Sequence, residues 1–257
     1  MGADTINHFI EYLTWDEVAR RIAADSPAIL PIGAAAKQHG FHLPLNADRV
    51  QAEWFAARLA ERIDALIWPT VTYGYYPAFV DYAGSASLSC ATFEAVIHEI
   101  AAGILGSGCR ALFVLDTGIS TLAPAERALS RLDGNAVCHL RLYHGPRYGR
   151  AAEALREQSH GSHADEIETS LMLAIAPDLV DMARAEASPA LTHEVSGRLT
   201  PTDPRSPNYS RSGSYGDPTL ATRAKGEVLL AALLEDLHEQ AQVFLGDHDA
   251  AGRGVSS

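Results

Sequence analysis

Basic residues are scarce relative to acids in this chain: 20 Lys and Arg stand against 32 Asp and Glu, a formal net charge of -12. A nucleic-acid surface needs clustered Lys and Arg to neutralise phosphates, and docking on anionic lipid needs the same, so neither partner is expected. Cysteine is also scarce, and no two of Cys90, Cys109 and Cys138 fall at CxxC spacing. An odd number without that spacing argues against a disulfide framework or a thiolate zinc site, and points to reduced thiols in a cytoplasmic protein. No apolar run approaches the roughly 20 residues that span a bilayer. The opening segment MGADTINHFIEYLTWDEVARR lacks the apolar core of a signal peptide. There is no GxSxG elbow, no P-loop and no GxGxxG, so neither a classical serine hydrolase nor a nucleotide enzyme finds support.

What the chain does have is apolar mass: 47% of its 257 residues are hydrophobic, enough for one sizeable core. Short apolar runs alternate with helical patterns. Ala28–Ile32, Leu66–Trp68, Ala111–Leu115 and Val137–Leu142 read as strands, with Pro31 suggesting an edge or a strand end. Thr14 followed by Glu17 forms a capping-box pattern that opens a helix. Further helices are expected over 48–63, 92–105, 166–176 and 220–244. Strands separated by helices imply parallel pairing, in an α/β fold whose ligand site lies beyond the carboxyl ends of the strands. The stretch from Thr200 to Pro218, rich in Pro, Ser, Gly and Asp, reads as a long loop, either a functional contact segment or a plain surface excursion. A single domain over 1–245 is expected, followed by a flexible tail over 246–257.

Two segments carry the chemistry. In the first, His39, His42 and Asp48 crowd into ten residues behind the first strand. Imidazole and carboxylate are the ligands of zinc, manganese and iron(II). The same residues could instead be a helix cap and loop surface. In the second, His160, His163, Asp165, Glu166 and Glu168 fall within nine residues. Acids at a helix start complement its dipole, which accounts for Asp165 and Glu166 but not for two histidines three apart. The turn from Asp116 to Thr121 and the aromatic run Tyr73 to Tyr76 are weaker candidates, and His98 reads as structural.

Taken together, these blocks resemble the creatininase (creatinine amidohydrolase) family. His39-Gly40-Phe41-His42-Leu43-Pro44 with Asp48 is similar to the family's HGxHLP…D signature. The turn at 116–121 falls where a second motif lies. His163 to Leu173 with Pro177 to Val180 is similar to a third block, and Gly216 to Thr222 with Lys225 and Glu227 to a C-terminal one. The likeness runs over roughly residues 12–240. It implies a three-layer α/β/α sandwich with a mostly parallel sheet, a divalent metal centre, hydrolysis of an amide or cyclic amide, and homo-oligomers, often hexamers.

The departures are specific. Lys37 stands where the family usually carries a glutamate ligand, and Ile119 and Thr121 stand near the positions of its later His and Glu ligands. The resemblance therefore implies a rearranged site. His39, Asp48, His163 and Glu168 are expected to hold a divalent zinc, manganese or iron ion, with Glu166 and His160 as proton carriers. Lys37 is expected to point away from the metal and His163 to face His39 and Asp48. The expected activity is metal-dependent cleavage of a C–N bond in a small amide or lactam. The alternatives are a non-catalytic metabolite-binding or scaffold relative, and another hydrolase such as a lactonase or a peptide-trimming enzyme.

Overall fold

The computed structural model describes residues 7–188 and 198–253. In chain order the elements are α1 (Trp15–Ala23), β1 (Ala28–Ile32), α2 (Ala47–Ile63), β2 (Leu66–Ile67), α3 (Cys90–Gly106), β3 (Leu112–Asp116), α4 (Leu122–Leu129), β4 (Val137–Arg141), α5 (Pro146–Leu155), α6 (Glu166–Ile175) and α7 (Arg223–Arg253). The four strands form one all-parallel sheet in the order β2-β1-β3-β4. Both β1 and β3 are buried along their whole length, which is why they read as continuous apolar runs rather than alternating ones.

Alternate residues on these strands face two separate cores. Ala28, Leu30, Ile32, Leu112 and Val114 pack with Phe93, Ile97 and Ala125 of α3 and α4. Ile29, Phe113, Leu115 and Leu140 pack on the opposite face with Phe55 and Leu59 of α2, Leu171 of α6 and Leu229 to Leu237 of α7. This is the expected three-layer α/β/α sandwich.

One expectation narrows and one changes. Pro31 lies beside the carboxyl end of β1, an interior strand, so of the edge and the strand end the strand end holds. Its carbonyl accepts from Val71 N at 2.9 Å, so its missing N–H falls on the same flank, beyond the end of the two-residue β2, where no ladder donor is needed. The closing helix also continues past the expected boundary at 246, running to Arg253. No helix among the described residues is long and apolar enough to cross a membrane.

α7 is seated against α6 through Gly226, where an added Cβ would lie 1.9 Å from Ser170 O. Gly226→Ala is therefore expected to force the two helices apart. The cost is about 1–3 kcal/mol, the usual range for overpacking. At about 2–4 °C per kcal/mol for a chain of this size, thermal unfolding measures it.

Candidate metal centre

The site lies beyond the carboxyl ends of β1 and β3, as an open α/β sheet dictates. β1 exits through Gly33, where a Cβ would meet Asp48 O at 2.6 Å and Ala52 Cβ at 2.8 Å. The glycine lets the first turn of α2 rest directly on the strand end. That close approach sets Asp48 beneath the loop that carries Lys37, Gln38 and His39.

His39 is fully buried. Its Nδ1 lies 2.8 Å from Lys37 O, so this nitrogen carries the proton and donates. Its Nε2 then faces two carboxylates, Asp48 Oδ1 at 2.8 Å and Glu168 Oε1 at 3.6 Å. A nitrogen aimed at acceptors on this scale must hold a second proton or a metal ion. His163 reaches the same place from the loop before α6. Its Nε2 donates to Gln38 O at 2.9 Å, and its Nδ1 faces Glu168 Oε2 at 3.7 Å. The two imidazole rings are 4.9 Å apart. Burial, followed by the Lys37 and His39 charges, pushes the His163 pKa well below its ordinary value, so Nδ1 offers a lone pair. Among the described residues, His39, His163 and Glu168 are a set whose donor atoms all lie within 4.8 Å of one another and could hold a metal ion.

Asp48 completes the cluster. Burial raises its pKa, but the Lys37 and His39 charges outweigh it and hold the carboxyl well below the usual range. Glu168 is pushed up, chiefly by burial, so an adjacent cation would stabilise its charged form.

Lys37 does not point away. Its Nζ sits 2.7 Å from Asp48 Oδ2, with both side chains buried. Lys37 stays beside the site because Asp48 has a second oxygen to offer, and a buried ammonium needs a carboxylate partner more than it needs distance from a metal.

Neither expected proton carrier lies in this cluster. The fully buried Glu166 carboxylate accepts from Glu157 N at 2.9 Å, Gln158 N at 2.8 Å and Lys225 Nζ at 2.5 Å. It locks α6 to α7. His160 lies against Tyr215, ring centres 5.6 Å apart, with Nδ1 3.1 Å from Ser159 Oγ. Asp165 is the cap of α6, accepting from Ile167 N and Glu168 N at 3.0 Å each. Its cap points Glu168 into the site. The loop at 200–218 is a contact segment: Gly213 O accepts from Gln38 Nε2 at 2.8 Å, and Tyr215 pairs with His163.

His42 sits behind the cluster, its Nε2 2.8 Å from Thr169 Oγ1. Burial, and secondarily the His39 charge, lowers its pKa from 6.5 to about 4. Below pH 6.5 the unfolded chain takes up a proton that the folded chain refuses, so stability falls as pH drops from 6.5 to about 4. The loss is at most roughly 3 kcal/mol, at about 1.4 kcal/mol for each tenfold change in proton affinity. Denaturant midpoints measured across this window should decline in the wild type and decline less in a His42→Gln variant.

A cavity of about 540 Å³ opens over these groups. Lys37, Asp48, His163 and Glu168 line its polar floor, and Tyr76, Phe79, Ile119, Leu122 and Tyr148 line its apolar walls. His144 also faces it, a residue that nothing in the sequence singles out. Its Nδ1 donates to Leu142 O at 2.9 Å, which leaves Nε2 as the basic nitrogen. In the turn after β3, Asp116 Oδ1 accepts from Gly118 N at 2.9 Å and Thr121 Oγ1 at 2.8 Å, so the Thr121 hydroxyl is spent on the turn itself.

Residues 11–241 match the model of the family described as "Creatininase: Creatinine amidohydrolase". The creatinine amidohydrolase of Pseudomonas putida is 30% identical over 250 residues, covering 89% of this chain and 94% of that one. The mycofactocin precursor peptide peptidase of Mycolicibacterium smegmatis is 30% identical over 232 residues, covering 84% and 85%. A solved structure named "Creatininase Mn" superposes with a TM-score of 0.74 at 28% identity, covering 91% of this chain and 97% of that one. A family match over most of the chain, a relative at 30% identity and a superposing fold lead to one conclusion: this chain belongs to the creatininase family.

Proposed function

We propose that this protein is a metal-dependent hydrolase that cleaves a C–N bond in an amide or lactam. The observation that carries this reading is the convergence of His39 Nε2, His163 Nδ1 and Glu168, with His163 and Glu168 lining the cavity and His39 buried directly behind them. Their chemistry fits a divalent zinc, manganese or iron ion: two imidazole nitrogens whose other nitrogens are fixed by backbone carbonyls, and a carboxylate. Asp48 Oδ1 is the adjacent fourth donor. A divalent ion held there would acidify a water and polarise a carbonyl. The chain's own groups do the rest. Lys37 O fixes the His39 ring, Gln38 O fixes the His163 ring, and the aromatic walls exclude water and hold the substrate's apolar part. His144, which lines the cavity and whose Nδ1 is held by Leu142 O, takes through Nε2 the proton-carrying role first expected of Glu166 and His160.

A non-catalytic relative would have no need for histidines oriented this way. The creatinine amidohydrolase and the peptide peptidase relatives support a cyclic amide and a peptidyl amide respectively, and the cavity has room for either. Assembly into homo-oligomers, often hexamers in the family, is part of the same reading. A panel of short peptide amides and lactams, assayed with protein purified without chelators, should show turnover that EDTA abolishes and added zinc or manganese restores. Turnover unchanged by the chelator would remove the metal from the reading.

A further inference from the structure

We infer that Lys37 is the built-in second cation of this centre, so that the site takes one divalent ion per chain and the ammonium occupies the other side of Asp48. This rests on the reading of His39, His163 and Glu168 as metal ligands. The Asp48 carboxylate is shared: Oδ1 faces His39 Nε2 at 2.8 Å, and Oδ2 faces Lys37 Nζ at 2.7 Å. Lys37 and Asp48 side chains are only 8% and 3% exposed, so the ammonium is fixed in place and not a surface group that strays inward.

What surrounds Nζ suits an organic cation and not a metal. The rings of Phe79 and Tyr76 lie 5.2 and 5.6 Å away, offering the negative faces that attract an ammonium. A divalent ion instead needs several lone pairs in its coordination sphere. Near the turn after β3, Ile119 is apolar and exposed, the Thr121 hydroxyl is bonded to Asp116 Oδ1, and the buried Asp116 Oδ2 is the one carboxylate oxygen left without a hydrogen bond, too few donors for a second ion. The same residue also orients the metal ligand beside it, because Lys37 O accepts from His39 Nδ1. One lysine thus neutralises half of the shared carboxylate, directs His39 and limits the affinity for the divalent ion by repulsion.

Stoichiometry and affinity test this without reference to activity. Full-length wild type, Lys37→Gln and Lys37→Met would be stripped with chelator and titrated calorimetrically with zinc or manganese, with elemental analysis as a second count. Wild type should take one ion per chain. Removing the ammonium should tighten binding at least tenfold, or admit a second ion. If neither variant folds, the wild-type count decides. Two ions in wild type, or variants that neither bind more tightly than wild type nor take a second ion, would overturn the inference while leaving the metal reading intact. No ion in wild type but one in a variant would overturn the one-ion count and count against a metal in the native site. No ion in any of the three would overturn both.

Discussion

Replacing His163 by alanine is expected to lower the affinity for a divalent ion more than a hundredfold, as measured by calorimetric titration of chelator-stripped protein. Loss of groups that only orient a ligand costs about 10–100-fold, and His163 offers its own lone pair to the site. Its imidazole faces Glu168 Oε2 at 3.7 Å and is held there by Gln38 O, and among the described residues the candidate ligand set holds His39 as its other histidine. The fold should survive, because His163 is anchored by the backbone pairing of the same residue with Tyr215. Unchanged affinity would assign His163 a role other than coordination.

Glu166→Leu is expected to do the opposite, destabilising the protein without altering metal stoichiometry. It removes the buried one of the two carboxylates that hold the Lys225 ammonium, leaving it the exposed Glu157, and it strands two backbone N–H groups that now meet on Glu166. Breaking a buried pair by removing one partner costs about 3–5 kcal/mol. For a chain of this size that is a fall of roughly 6–20 °C in melting temperature, read by calorimetry. Were Glu166 the proton carrier of the reaction, Glu166→Gln would abolish turnover while holding most of this stability. Bound as it is between α6 and α7, that variant should retain turnover.

These two carboxylates show where sequence reasoning stops. Glu166 and Glu168 sit two residues apart on one helix and so point to different sides, but nothing local says which side is the cavity. The answer comes from Lys225, 59 residues away, which captures Glu166. The orientation of Lys37 is hidden for a related reason: it depends on the second oxygen of Asp48, a tertiary contact. His144 gives no signal, being a single histidine after β4 whose tautomer is set by Leu142 O. What can be read is whatever is encoded locally. The apolar runs of β1 and β3, the capping box at Thr14 and Glu17, and the glycine exit toward Asp48 each have short-range causes. Short α4 and α5 do not stand out because Pro124 and Gly149 interrupt their patterns.

The central claim is that one divalent ion sits among His39, His163 and Glu168. The most direct measurement is anomalous scattering at a metal edge, from crystals of protein purified without chelators. The account predicts a single peak per chain, with bonds of roughly 2.0–2.2 Å to His39 Nε2, His163 Nδ1 and a Glu168 oxygen. Lys37 Nζ should still be on Asp48. An empty site in metal-supplemented crystals, or a peak held by Glu166 or His160 instead, would contradict it.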